Sequence, residues 1–174
     1  METGMIREAS SYIQKLNLQP HPEGGYFASV YRSREAVSAA SLPDRFSADR
    51  LFSTSIYFLL EGNQYSAFHR IKSDELWHFY DGIPLNIYVI HPNGEGEILK
   101  LGRDLENGES LQQVVPAESW FASKPVDLNG YTLAGCTVAP GFDFADFEMA
   151  DKSELMSVYP QHSNWIKELC VGSI

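Results

Sequence analysis

From Tyr26 onward the chain is a succession of short runs of β-branched and aromatic residues, each cut off by Gly, Pro, Asn or Asp. The runs fall at residues 26–33, 53–60, 64–71, 75–80, 85–90, 97–101, 111–115, 131–138 and 147–149. A chain cut this way lacks the long helical segments that parallel crossovers need, and an antiparallel sandwich or barrel is the expectation. A different pattern brackets the strands. Thr3 is placed to cap a helix over 4–18, in which Ile6, Ala9, Ile13 and Leu16 recur at helical steps before Pro20. At the other end, Asp151 and Glu154 have the spacing of a capping box, Pro160 interrupts, and Trp165, Ile166 and Leu169 form a last apolar stripe. This predicts helices over about 151–170. Residues 34–50 have little periodicity and read as a long loop or short helical excursion, either a lid or plain surface.

The 174 residues, 44% of them hydrophobic, suffice for one core without disulfides or metal. One domain over residues 1–174 is expected, with its barrel at about 24–150. A formal charge of -10 disfavours nucleic acid and anionic membranes as partners, and an anionic small substrate too unless local arginines such as Arg32 or Arg70 outweigh that field. Cys136 and Cys170 form no spaced framework and are expected to stay unbridged. The N-terminus has no basic start followed by an apolar stretch, and the apolar run at 56–60 is too short to span a bilayer, so a cytoplasmic location is expected.

Chemistry-bearing side chains concentrate between Gly62 and Gly82, where His69, Glu75 and His78 sit in strand-like sequence. The segment resembles the metal-binding motif of the cupins: glycine, five residues, His-x-His, three or four residues, Glu, six residues, glycine. Glu75 and Gly82 keep the final spacing. The histidine half departs from it, because six residues separate Gly62 from His69 and the second histidine position falls on Ile71. With five residues, Phe68 and Arg70 would take both positions. Around this core, Pro20-His-Pro-Glu-Gly-Gly-Tyr-Phe27, residues 66–70 and 77–79, Val115-Pro-Ala117 and Ala139-Pro-Gly-Phe-Asp-Phe144 resemble the Cupin 5 family. The resemblance implies an all-β double-stranded β-helix, the cupin jelly roll, with flanking N- and C-terminal helices, a dimeric assembly and a pocket in the barrel mouth. In the family's second motif, Glu118 stands for a glycine and Phe121 for the last imidazole.

Carrying the family's inward glutamate onto Glu75 sends Trp77 and Phe79 into the pocket by strand alternation, and Leu76, His78 and Tyr80 to the opposite face. Only His69 and Glu75 then remain as family-type ligands, fewer than the about three that a catalytic metal needs, so no cofactor is expected. The alternative is a divalent transition metal held by His69, Glu75 and His78, with a β-bulge turning His78 inward. Without metal, His69 is assigned as acid/base and Glu75 as orienting carboxylate or second base. Tyr57, Trp77, Phe79, Trp120, Phe121 and Glu23 are assigned as contacts of a small-molecule ligand, against readings of the aromatics as barrel core and of Glu23-Gly24-Gly25 as a turn. The superfamily resemblance implies a carbohydrate or phosphosugar isomerase or epimerase. A non-enzymatic ligand-binding or storage-type cupin and a metal-dependent dioxygenase are the alternatives. If Glu75 points inward, the face of Leu76 and Tyr80 is too apolar to stay wet, and a homodimer follows. Light scattering at micromolar concentration is expected to return twice the chain mass, and a monomer would contradict this.

Overall fold

The computed structural model describes residues 8–171. Its strands are β1 (Gln19–Pro20), β2 (Tyr26–Arg32), β3 (Ala36–Val37), β4 (Arg50–Leu51), β5 (Thr54–Glu61), β6 (Ser66–Arg70) and β7 (Asp74–Gly82) in the first half. There follow β8 (Leu85–Ile90), β9 (Gly96–Leu101), β10 (Gln112–Val115), β11 (Trp120–Pro125), β12 (Tyr131–Ala139) and β13 (Glu148–Met149). Helices α1 (Ala9–Lys15), α2 (Lys152–Val158) and α3 (Ser163–Leu169) flank them. Thr3 and Ile6, the expected start of the first helix, lie outside the described residues. No helix among the described residues is long and apolar enough to cross a membrane.

Two antiparallel sheets face each other, one in the order β1-β2-β5-β12-β7-β10 and the other β13-β6-β11-β8-β9. Non-sequential neighbours such as β5-β12 and β6-β11 make this a double-sheet jelly roll rather than a meander. The inner faces meet in a core of Phe58, Leu60, Trp77, Ile87, Val89, Leu101, Val115 and Phe121. Helices cover parts of both outer faces: α1 packs Ile13 on Leu59 and Leu133, while α2 and α3 press Leu155, Ile166 and Leu169 against Phe68, Ile90 and Trp120. Asp151 caps α2 by accepting the Glu154 N–H at 2.8 Å, as the box at its start requires.

Strand β11 is absent from the runs read in the sequence, and its burial explains why. Trp120, Phe121, Ala122 and Ser123 are all buried, because the helices cover one side of the strand and the core the other. A strand buried on both faces has no alternation to reveal it. Residues 34–50 are not a free loop: β3 and β4 pair as a ribbon, Ala39–Ser41 make a short helical turn between them, and Phe46 and Arg50 are buried. Arg50 donates to both Asp146 carboxylate oxygens at 2.6 Å and to the carbonyls of Ala48 and Asp49. This pair ties the ribbon to the aromatic segment 142–147. Replacing Asp146→Asn strips the buried guanidinium of its charge partner and should cost about 3 kcal/mol, measurable as a lower urea midpoint with unchanged slope.

Candidate functional site

At one end of the sandwich the inner faces of β2, β5, β6, β7 and β12 enclose a cavity of about 120 Å³. Most of its lining is apolar, with Phe27, Phe58, Phe142, Phe144 and Phe147 forming an aromatic wall, and the polar side chains His21, Glu23, His69, Glu75 and Cys136 share the space. A cavity of this size suits a compact ligand, since an apolar protein cavity of about 150 Å³ takes up benzene.

Each polar group arrives by an identifiable device. His69 points inward from β6 because Phe68, one residue earlier, points out to α3. In β7, Glu75, Trp77 and Phe79 are buried while Leu76 and His78 are half-buried and Tyr80 is exposed, the alternation of a strand whose inner face is the core. His21 and Glu23 come from the turn that leads into β2. Here His21 N–H donates to the Gly25 carbonyl and Gly24 N–H to the His21 carbonyl. Gly24 and Gly25 have φ of +115° and +73°. A side chain on Gly24 would collide with the Tyr65 carbonyl, and one on Gly25 would come within 2.7 Å of the Leu59 carbonyl. The paired glycines thus allow the turn to lie flat against β5 and the start of β6.

Glu23 and His69 form a buried pair, Oε2 to Nε2 at 3.0 Å. The other Glu23 oxygen accepts the Ser66 hydroxyl at 2.9 Å, and the other His69 nitrogen meets the Ala67 carbonyl at 2.7 Å. Both imidazole nitrogens therefore face acceptors, which is the arrangement of an imidazolium. Burial works against charge on either partner, yet mutual attraction and hydrogen bonding prevail: the Glu23 carboxyl is lowered and the His69 imidazole raised from their ordinary values. Burial lowers His21. Its Nδ1 accepts the Glu23 N–H at 3.3 Å, whereas the Glu23 carboxylate at 3.6 Å is too far for a hydrogen bond. The proton of neutral His21 accordingly belongs on Nε2, for which no protein partner is found among the described residues.

Glu75 is the least satisfied of the group. Burial, and then the charge of Glu23, push its carboxyl up to about 7, and the Cys136 thiol is its hydrogen-bond partner. Cys136 is itself raised well above the usual thiol range, chiefly by burial, and is no thiolate. Both cysteines are free.

The ligand contacts expected from the sequence divide sharply. Glu23, His69 and Glu75 line one cavity. Trp77 and Phe79 point inward but lie deeper, in the core. Phe121 is also core, its ring 4.1 Å from that of His69, which it supports from behind. Tyr57 packs on the outer face with Leu59 and Leu133, and Trp120 faces the C-terminal helices. Neither reaches the cavity. Asp143 caps the turn of Phe144–Asp146, and Asp146 is bound to Arg50. Missing from the expected ligand contacts are His21, Cys136, Phe142, Phe144 and Phe147, and of the two arginines named as able to outweigh the net charge within a pocket, Arg32 lines this cavity and Arg70 does not. His21 was legible in principle, two residues from Glu23 in the same glycine turn.

These residues do not fit a resident transition metal. Ile71 and Phe121 bring no donor atoms, both His69 nitrogens are engaged, and His78 bonds Thr137 on the outer face at 3.1 Å. A β-bulge does exist where β7 pairs with β12, but it falls beyond His78, between the Phe79 and Asp81 pairings. It therefore leaves His78 outside. Among the described residues no three His, Cys, Asp or Glu side chains are grouped to hold a metal ion.

A double-sheet jelly roll with a small-molecule-sized cavity at one end is the architecture of the cupins. A cupin 2 domain-containing protein from Halorhodospira halophila shares the fold, with TM-score 0.55 at 12% identity over 90% of this chain and 89% of that one. The family model Cupin_5, described as Cupin superfamily (DUF985), matches residues 10–150, and the chain belongs to that family. It is similar to protein SO0799 from Shewanella oneidensis, with TM-score 0.87 and 39% identity over 97% of this chain and 100% of that one. It also resembles the uncharacterized protein YML079W of Saccharomyces cerevisiae, 31% identical over 82% of this chain and 76% of the relative.

Glu75 links the site to stability. Between its unfolded value of 4.5 and its folded value of about 7 the native state holds a proton that the unfolded chain has released, so stability falls as pH rises through this window. The whole effect is about 3 kcal/mol. Glu75→Gln should match the wild type at about pH 5 and exceed it in stability at about pH 8.5. Urea unfolding at the two pH values checks this; a variant equally destabilised at both would contradict it.

Proposed function

We propose that this cupin is a metal-independent proton-transfer enzyme, an isomerase or epimerase, with Glu75 as its acid/base group. The observation that carries the reading is a buried carboxyl held near pH 7 in a ligand-sized cavity, the value at which a general base and its conjugate acid are both present. His69, the acid/base residue suggested by the sequence, has both nitrogens engaged. Its part is electrostatic: it answers the charge of Glu23 and holds that carboxylate in place.

Neutral His21 supplies the complement. A glutamate base working beside a neutral imidazole N–H is a recurrent arrangement for shifting a proton next to a carbonyl group. Glu75 removes a proton from the carbon beside the carbonyl, the electron pair moves into the enolate, and His21 Nε2–H hydrogen-bonds the oxygen on which charge gathers. Glu75 returns the proton to the neighbouring carbon or to the opposite face, giving an isomer or an epimer. The aromatic wall excludes water and favours a substrate with at least one apolar face. Among carbohydrates, the class suggested by the superfamily, this supports a compact sugar derivative more than an extended neutral saccharide.

Exchange of carbon-bound hydrogen in D2O, followed by proton NMR over a panel of small carbonyl compounds and sugar phosphates, tests the proposal. The wild type should catalyse exchange with a rate that rises through about pH 7, and Glu75→Gln should lose about 10²-fold or more. Ligand binding with no exchange across the panel would favour the non-enzymatic binding reading.

A further inference from the structure

One cationic side chain in the cavity wall has no counterpart. Arg32 lines the cavity together with Phe27, Ser29, Thr54 and Ile56. It is the only lysine or arginine among the lining residues, and it is solvent-exposed, which puts it at the mouth. No carboxylate, carbonyl or aromatic ring holds its guanidinium among the described residues. Arg50, Arg70 and Arg103 are committed to Asp146, Glu148 and Asp81, and Arg34, the neighbouring exposed arginine, does not line the cavity.

The backbone aims Arg32 there by a specific irregularity. Phe27 and Ser29 face inward opposite Phe58 and Ile56. Continued alternation would turn Tyr31 inward next and Arg32 out. Instead, Ser29 pairs with Ile56 and Tyr31 with Ser55, so Val30 is an extra residue in β2, a β-bulge. Parity flips, Arg32 pairs with the inward-facing Thr54, and Val30 and Tyr31 are both left 52% exposed. Bulges beside active sites serve to re-aim a side chain in this way. The bulge leaves an aromatic and a valine in water and gains, on the inside, only Arg32.

Charges within the cavity point the same way. Glu23 is answered by His69 in direct contact, and Glu75 has the Cys136 thiol as its hydrogen-bond partner. The guanidinium at the mouth is thus unopposed, in a chain whose net charge is -10.

We propose that Arg32 anchors the substrate by an anionic head group, a carboxylate or a phosphate, while an apolar body lies between the phenylalanine wall and Ile56. This substrate class rests on the reading of the cavity as the substrate site with Glu75 in its depth. Planar, bidentate recognition of such oxyanions is what a guanidinium offers over an ammonium, and a charge-assisted pair of this kind is worth tenfold or more in affinity.

Calorimetric titration of the full chain with phenylacetate, its neutral isostere phenylacetamide, and phenyl phosphate tests the anchor. The wild type should bind at least one anion about tenfold or more tightly than the amide, and the tighter of the two anions identifies the head group. Arg32→Gln should remove that preference and leave phenylacetamide binding unchanged; Arg32→Lys should restore part of it. Equal affinity of anion and amide for the wild type, a preference that survives Arg32→Gln, or no binding of any probe at millimolar concentration overturns the proposal. Glu75→Gln separates the two readings, because the anion preference should persist in a variant that has lost proton exchange. If the preference holds in both proteins and the wild type catalyses no exchange, the anchor stands and the proton-transfer reading falls.

Discussion

The Glu23–His69 pair is the constraint around which the site is arranged. A carboxylate with its environment this apolar loses several kcal/mol of hydration, and it stays ionised only if its lone pairs are met. Here they are, by His69 on one oxygen and Ser66 on the other. The same contact joins two distant parts of the chain. The Ala67 N–H donates to the Glu23 carbonyl at 2.8 Å, and the Ala67 carbonyl in turn meets the His69 ring. Backbone and side chains therefore stitch the glycine turn to β6 at one point. Removing either charge would leave the other buried alone, so the pair fixes both the geometry of the mouth and the field that Glu75 experiences.

Around that point the sheet framework supplies rigidity and the segment 142–147 supplies the apolar wall. Phe142, Phe144 and Phe147 pack edge to face on one another at 5.0 to 6.2 Å, and His21 lies against Phe27 at 4.7 Å. Phe142 N–H bonds the Thr54 hydroxyl at 2.9 Å, which holds the start of the segment to β5. Arg50 and Asp146 hold its end. A wall pinned at both ends by polar contacts keeps its rings in one arrangement, as positioning of a small substrate demands.

The fold was legible from runs of β-branched and aromatic residues cut by turn residues, and the family resemblance placed Glu75 inward, from which strand alternation put Trp77 and Phe79 inside and Leu76, His78 and Tyr80 on the opposite face. Legibility failed where that signal was erased or broken. Strand β11, covered on both faces, has no period. Tyr57 and Trp120 are aromatics that pack outward beneath α1 and α3, and composition alone does not distinguish such a face from a pocket wall. Arg32 points inward only because Val30 is extra, and a bulge leaves no mark in the pattern of residue types. His21 and Glu23 reach the cavity through a turn whose glycines marked a tight backbone but not its neighbours. The shared depth of Glu75 and Cys136 depended on the pairing of β7 with β12, a long-range register that no local pattern encodes.

Glu23, His69 and Glu75 form one electrostatic unit, and its net charge explains why an anchor for an anion belongs at the mouth rather than in the depth. With Glu75 protonated, the three groups sum to zero. Loss of that proton leaves one net negative charge in a low-dielectric space, which in turn holds the proton on His69 more firmly. A carbon acid needs the ionised form of Glu75, whereas an anion is repelled by it. Both demands are met only if the anionic group sits apart from the reacting carbon, with the apolar body between them. Repulsion falls with distance while the guanidinium contact does not depend on the state of Glu75. Arg32 pairs with Thr54, Thr54 with Val138 and Val138 with Glu75, so the exposed guanidinium and the buried carboxyl stand three strands apart across one sheet, a separation that suits a substrate with its charge at one end and its reacting carbon at the other.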